Sequence, residues 1–249
     1  MKIALAGTGN VATVLGRLFK QAGHTIVSVS GRDPVKAAQL ASLLGAQSFE
    51  LPRTSPDAEI IIIAVSDDAI NKLLKGRFSI PVVHTAGSVP SSILAEYGNE
   101  YGVIYPLQSL RKEMQHLPEI PFLINGSDEK VMTSLHNLCN SVSLKVVECS
   151  DVERLKLHLA AVLVSNFTNH LYQLAEEYSI KNNISFNLLH PLIEETAMRL
   201  KHASPSALQT GPAVRNDRKT IEAHLQLLEQ DEKLSAVYQF MTKNIQQPG

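Results

Sequence analysis

The turn Gly7-Thr8-Gly9-Asn10-Val11-Ala12 constrains this chain more than any other stretch. It follows the apolar run Lys2–Ala6. Val11, Leu15, Leu18 and Phe19 then recur at helical spacing until Gly23. Thr25 to Ser30 reads as a second strand. A G-x-G-x-x-A turn between a strand and a helix is the phosphate element of dinucleotide-binding folds. Gly7 permits the tight turn, Gly9 leaves the backbone open to a pyrophosphate, and Ala12 lets helix and strand approach closely. The helix start adds unpaired N–H groups, at Asn10 and Val11 among others, and the positive end of its dipole. A merely structural glycine turn is the plainer alternative. The strand, turn, helix, strand context favours dinucleotide binding over it.

The same alternation continues through the first 150 residues. Asp33-Pro34 opens a second helix with a cap and a proline at its first position. Ala46 to Phe49 is a short strand, and Glu59 to Val65 is a continuous apolar run of the kind buried on both faces of a parallel sheet. Ser66-Asp67-Asp68 is expected to cap a helix reaching Leu74. Strands follow at Ile80–His84, Tyr101–Tyr105, Phe122–Ile124 and Leu144–Cys149, with helices after Pro90 and over Asp128–Asn140. This predicts an α/β, doubly wound, mainly parallel Rossmann sheet over residues 1–150. From Asp151 the pattern becomes helical throughout, so residues 151–249 read as an all-α domain for substrate binding or dimerisation. Val152 to Tyr178 is expected to form one long helix, enclosed on most sides because Leu157 to Val164 is apolar nearly all round. Pro191 should kink or restart a second helix, and two more run over about 218–229 and 232–244.

Composition sets the boundaries of function. The 249 residues are 44% hydrophobic and carry a net charge of −1, which argues for a substantial core and against a nucleic-acid or anionic-membrane partner. No apolar stretch reaches transmembrane length, and no leader is evident. Cys139 and Cys149 lack metal-ligand spacing, so buried, reduced thiols and no bound metal are expected. A cytoplasmic protein acting on a small molecule is the simple reading.

Four strand ends should line the ligand crevice. The first is the phosphate turn. The second, Ser30-Gly31-Arg32, carries no carboxylate for a free ribose hydroxyl, whereas a guanidinium and a hydroxyl suit a 2′-phosphate. NADP(H) is therefore expected over NAD(H). The third, Val65-Ser66-Asp67, should follow the middle of the dinucleotide. The fourth, His84-Thr85-Ala86-Gly87-Ser88, should lie near the nicotinamide, with Thr85 on the cofactor and His84 and Ser88 as polar contacts; a purely structural histidine is the alternative. On the long helix, Ser165 and Asn169 fall within about 20° of His158 around the axis, and Asn166 about 80° away. These polar groups either face a substrate beside the nicotinamide or serve structural hydrogen bonds. His158, Asn166 and Asn169 join His84 and Ser88 as catalytic candidates. Arg215 is a candidate for a substrate carboxylate, while Asp217 is expected only to cap the next helix.

With these residues in hand, the chain resembles a family of Rossmann-like proteins with a C-terminal helical domain of unknown function, often labelled deazaflavin- or NADP-dependent oxidoreductases. The matching stretches are GTGNVA at 7–12, AVSDDAI at 64–70, HTAGSVP at 84–90, YPLQSL at 105–110, HLAAVLVSNFTNHL at 158–171 and ALQTGPAVRND at 207–217. The wider superfamily includes ketopantoate and pyrroline-5-carboxylate reductases and 6-phosphogluconate dehydrogenase. The resemblance implies a cofactor domain followed by helices that often build a homodimer. Several relatives place a lysine four residues before an asparagine on the long helix. Here those positions hold Val162 and Ser165, so lysine-based proton transfer lacks its residue. Two readings stay open: an NADP(H)-dependent oxidoreductase acting on a carbonyl or imine, and a non-catalytic NADP(H)-binding sensor or interaction protein.

Overall fold

The computed structural model describes residues 1–73 and 75–247. Its centre is an eight-stranded sheet in the order β3-β2-β1-β4-β5-β6-β7-β8. The strands are β1 (Lys2–Ala6), β2 (Thr25–Gly31), β3 (Gln47–Glu50), β4 (Ile60–Ile63), β5 (Val82–His84), β6 (Tyr101–Pro106), β7 (Phe122–Gly126) and β8 (Val146–Glu148). Neighbours pair in parallel except β6 and β7, which are antiparallel. The chain winds outward from β1 through β2 to β3, then crosses back so that β4 lies against β1. That reversal opens a crevice at the strand ends.

Alternation along each strand distributes side chains to two cores. Ile3, Leu5, Ile60 and Ile62 face one side and meet the helices α1 (Asn10–Gln21), α2 (Pro34–Leu44) and α3 (Glu129–Asn140). Ala4, Ala6, Ile61 and Ile63 face the other. There the connections are short 3₁₀ segments, Asp67–Lys72 and Ser91–Glu96, rather than the α-helices expected from the sequence. Ser66 makes no side-chain cap to the first of them, and the expected helix end at Leu74 lies outside the described residues. Asp33 does cap α2, accepting from the Val35 and Lys36 N–H groups, and Gly45 closes that helix in the left-handed region at φ 70°.

Two compact units divide the chain, Met1–Asn166 and Phe167–Gly249. The change of character at Asp151 marks the start of α4 (Asp151–Ala161), held by a reciprocal capping box between Ser150 and Glu153. This helix belongs to the first unit. The expected single long helix is interrupted: Val162–Phe167 is a π segment, and α5 (Thr168–Lys181) follows. A wider turn shifts the angular phase of what comes after it, so a uniform 100° step does not carry from His158 to later residues. Nor is the helix enclosed. Leu159 is 60% and Val164 75% exposed, because nothing in the unit covers that face.

The second unit contains α5, α6 (His190–Arg199), α7 (Pro205–Leu208), α8 (Arg218–Leu227) and α9 (Glu232–Gln246). Pro191 sits in the first turn of α6, so the chain restarts there after a 3₁₀ turn at Phe186–Leu189. Asp217 caps α8, accepting from the Thr220 N–H, as expected. No described helix is long and apolar enough to cross a membrane.

Candidate functional site

The reversal of strand order leaves a cavity of about 520 Å³ in the first unit. At one part of it, Gly7 stands at φ 137°, and a β-carbon there would lie 2.1 Å from the Ala64 carbonyl oxygen. Only glycine fits. Gly9 is the α1 N-cap, extended and without a side-chain cap, and a β-carbon on it would meet nothing within 4 Å. The first N–H groups of α1 are thus left open to the cavity that Gly7, Gly9, Asn10 and Val11 line. Asn10 also accepts from the Lys112 N–H at 3.3 Å, so part of its capacity is spent on holding a loop.

Gly31, Arg32, Asp33 and Lys36 line the next part. Arg32 is exposed and makes no ion pair among the described residues, while Lys36 lies 3.6 Å from Asp33. The Lys36 backbone N–H, with that of Val35, holds the Asp33 carboxyl below its usual range; both donate to its Oδ1, which is occupied in capping. Ser30 is different from expectation. It is fully buried, its hydroxyl donates to the Arg53 carbonyl at 2.7 Å, and it does not line the cavity. Strand alternation turns it inward, and Lys36, one helical turn into α2, stands by the cavity as a second cation. The sequence reading passed over Lys36, although its place three residues after the cap was a usable signal.

Val65, Ser66, Asp67 and Thr85 line the cavity as expected, together with Ala86 and Gly87. Ser88 does not; it is exposed and donates to the Asp67 carboxylate. His84 does not either. It is completely buried beneath the loop, where its Nδ1 accepts from the Ala86 N–H at 3.1 Å and its Nε2 has no hydrogen-bond partner. Burial, then the nearby Arg154 charge, lower its pKa to about 4, with the Pro90 carbonyl offsetting part of this. The geometry matches the structural alternative for His84 and not a nicotinamide contact.

The loop is fastened from α4. Arg154 is 1% exposed, donates to the Val89 carbonyl, and pairs with Asp151 at 2.8 Å. Asp151 in turn accepts from the Ser91 N–H at 3.0 Å and the Asn125 side chain at 3.3 Å. One turn further along α4, His158 completes the cavity wall. Its Nδ1 lies 2.9 Å from the Tyr105 hydroxyl, with the rings edge to face at 5.7 Å. Gly87 makes this meeting possible: a β-carbon there would come within 2.6 Å of His158 Nδ1 and 3.0 Å of Tyr105 Cζ. Burial, the leading influence on Tyr105, raises its pKa, so the phenol keeps its proton at neutral pH. Tyr105 and Gly87 were not singled out from sequence. Their role depends on three distant segments converging, which no local spacing reports.

His158 also lines a second cavity of about 510 Å³, shared with Tyr105, Ser165 and Asn166. Asn169 and Arg215 lie in the second unit, both exposed, and line neither cavity. Among the described residues, no group of three or more His, Cys, Asp or Glu is placed to hold a metal ion.

This combination of an open helix start, a glycine that admits no side chain and a basic second strand end is the geometry of a dinucleotide-binding domain. Residues 2–83 match the family described as NADP oxidoreductase, coenzyme F420-dependent, and residues 120–245 match the domain of unknown function DUF2520. A protein of Bacteroides fragilis described as an NADP oxidoreductase is 35% identical, over 98% of this chain and 97% of its own, with a TM-score of 0.90. The chain belongs to this DUF2520-containing family of NADP oxidoreductases, for which NADP is the cofactor. A Thermotoga maritima protein shares the fold at 23% identity and TM-score 0.80, covering 97% of this chain and 96% of its own. So does an imine reductase of Myxococcus stipitatus in complex with NADP+, at 18% identity and TM-score 0.66, covering 98% and 93%. No curated protein matches the chain.

Proposed function

We propose that this chain is an NADP(H)-dependent oxidoreductase that transfers hydride to or from a small carbonyl or imine compound. One observation carries the reading: the cavity that begins at the phosphate turn ends at His158, which Tyr105 holds at 2.9 Å. Bound NADP(H) supplies or accepts the hydride. Gly7, Gly9, Asn10 and Val11 hold its pyrophosphate. Arg32 and Lys36 hold the 2′-phosphate, and Val65, Ser66, Asp67 and Thr85 follow the dinucleotide toward Gly87. With Nδ1 committed to Tyr105, the Nε2 of His158 is the ring atom left to exchange a proton with substrate. Asn166, on the wall of the second cavity, is the second polar contact.

The chain acts as a cytoplasmic homodimer in this reading. Support comes from apolar side chains on the surface of a single copy, including Leu159 and Val164 in the first unit and Leu192 and Phe240 in the second. Two buried, unpaired cysteines fit a reducing compartment.

Val162 and Ser165, where a lysine stands in several relatives, favour the alternative of a non-catalytic NADP(H)-binding protein. NADPH oxidation across a panel of keto acids, imines and deazaflavin separates the two. Turnover is expected, and His158→Ala should lower kcat by about 100-fold with NADPH still bound. Tight NADPH binding without turnover of any compound would establish the alternative.

A further inference from the structure

The charges around the first cavity are segregated. Arg32, Asp33 and Lys36 follow β2, and Asp67 follows β4; among the described residues these are the Lys, Arg, Asp and Glu side chains that line it. Strand β1 lies between the two groups. At the β2 end the two cations, Arg32 and Lys36, stand beside one carboxylate, Asp33. At the β4 end the carboxylate stands alone: among the described residues no cation pairs with Asp67. Its Oδ2 accepts from the Ser88 hydroxyl, which holds it against the loop one residue past Gly87. Gly87 in turn packs against the His158 ring. Burial dominates the pKa values of His84 and Tyr105, but the Asp67 charge acts on both and pushes each upward, so its field reaches this end of the cavity. Arg154 acts on the same two groups in the opposite direction, and its own charge is matched by Asp151 at 2.8 Å.

A dinucleotide lies across such a crevice with its pyrophosphate on the glycine turn after β1, so its two halves extend to opposite sides of that strand. With the 2′-phosphate toward Arg32 and Lys36, the nicotinamide half extends over the ends of β4 and β5, on the side of Asp67. That ring is a cation in NADP+ and neutral in NADPH, and the rest of the cofactor keeps its charge. Resting on the reading of this cavity as the NADP(H) site, we propose that Asp67 sets the balance between the two redox forms, its carboxylate favouring the oxidised nicotinamide over the reduced one. In the reaction, hydride carries two electrons from the dihydronicotinamide to the substrate carbon, the ring becomes a cation, and the substrate oxygen or nitrogen takes a proton from His158. Asp67 therefore favours the direction that ends in NADP+, which is reduction of the substrate. Because Asp67 is exposed, water and salt screen its charge, and the preference it adds is roughly three- to tenfold.

The test needs no substrate. NADP+ and NADPH are each titrated calorimetrically into the full chain, and the quantity read is the ratio of their dissociation constants. Any effect of a substitution on the adenosine, phosphate or ribose contacts is common to both cofactors and cancels in that ratio. Asp67→Asn keeps an acceptor for the Ser88 hydroxyl and removes the charge. It should move the ratio toward NADPH by roughly three- to tenfold, and added salt should shrink the difference between variant and wild type. Asp68→Asn is the control: it removes the neighbouring exposed carboxylate, which does not line the cavity, and should move the ratio by less than about twofold. An unmoved ratio in Asp67→Asn, a shift toward NADP+, or an equal shift in Asp68→Asn would overturn the proposal. Equal weakening of both cofactors by Asp67→Asn belongs to the unmoved ratio and would make Asp67 a ribose or loop contact only. Binding of neither cofactor by the wild type would overturn the oxidoreductase reading as well, whereas binding with an unmoved ratio would overturn this proposal alone.

Discussion

The two units bury their side chains to very different extents. In the first, Ile60 to Ile63 are at 0% exposure and the sheet separates two continuous cores. In the second, the described buried residues are Leu174, Ser179, Ala213 and Leu228, and α6, α8 and α9 bury none. A sheet satisfies its backbone and both faces within one chain. An amphipathic helix leaves a face that needs a partner, and here that need is unmet by the unit itself. The cavity lined by the phosphate turn lies wholly in the first unit.

The largest expected effect is at Gly7, a positive-φ glycine of the first unit, set against Gly211, one of the second. Gly7→Val drives a β-carbon into the Ala64 carbonyl and should cost more than about 4 kcal/mol, or prevent folding, by urea denaturation. Gly211, at φ 109° with open space around it, should cost only about 1–2 kcal/mol when changed to Ala. Comparable losses would mean that the second unit is as tightly built as the first.

Core truncation probes the same contrast. Ile62→Ala should cost roughly 2–5 kcal/mol. Phe240→Ala, at a residue 66% exposed, should change single-chain stability by less than about 0.5 kcal/mol and act instead on the sedimentation coefficient at micromolar protein. A large effect of Phe240→Ala under conditions where the chain is monomeric would break the comparison.

Acid should weaken the first unit through His84. Its folded pKa of about 4 lies below the unfolded value of 6.5, so the unfolded chain binds more protons between the two. This contribution is complete above pH 6.5 and is lost as pH falls toward 4, roughly 3 kcal/mol in all. His84→Asn can keep an acceptor for the Ala86 N–H and cannot charge. Its denaturation midpoint should therefore fall less than that of the wild type across this window; parallel curves would refute the assignment.

The smallest effect concerns affinity. Arg32→Ala should weaken NADPH binding about tenfold and leave NADH nearly unchanged, with added salt shrinking the difference. Arg215→Ala, in the second unit, should alter neither cofactor. Equal loss for NADPH and NADH on changing Arg32 would mean that it stacks on the adenine.

The strands, the phosphate turn and the caps at Asp33 and Asp217 were legible because each is decided by residues close in sequence. The 3₁₀ segments after β4 and β5 were not, since Ser66-Asp67-Asp68 carries the composition of an α-helix start without the length to build one. Ser30 was misplaced because its strand parity, and not its chemistry, sends it inward. The π segment at Val162–Phe167 escaped because the sequence there has ordinary helical composition. His158 was legible as a polar residue on an apolar stretch, but its partner Tyr105 and the glycine that admits it belong to other strands and loops.

The buried cysteines have a practical consequence. Burial pushes the Cys139 thiol up to about 12 and raises that of Cys149 as well, so alkylating reagents at neutral pH find little native thiolate. The chain also contains no tryptophan. A single introduced cysteine or tryptophan would thus be a solitary reporter on a silent background. Energy transfer from one such tryptophan to the reduced nicotinamide would locate that ring directly in the working protein.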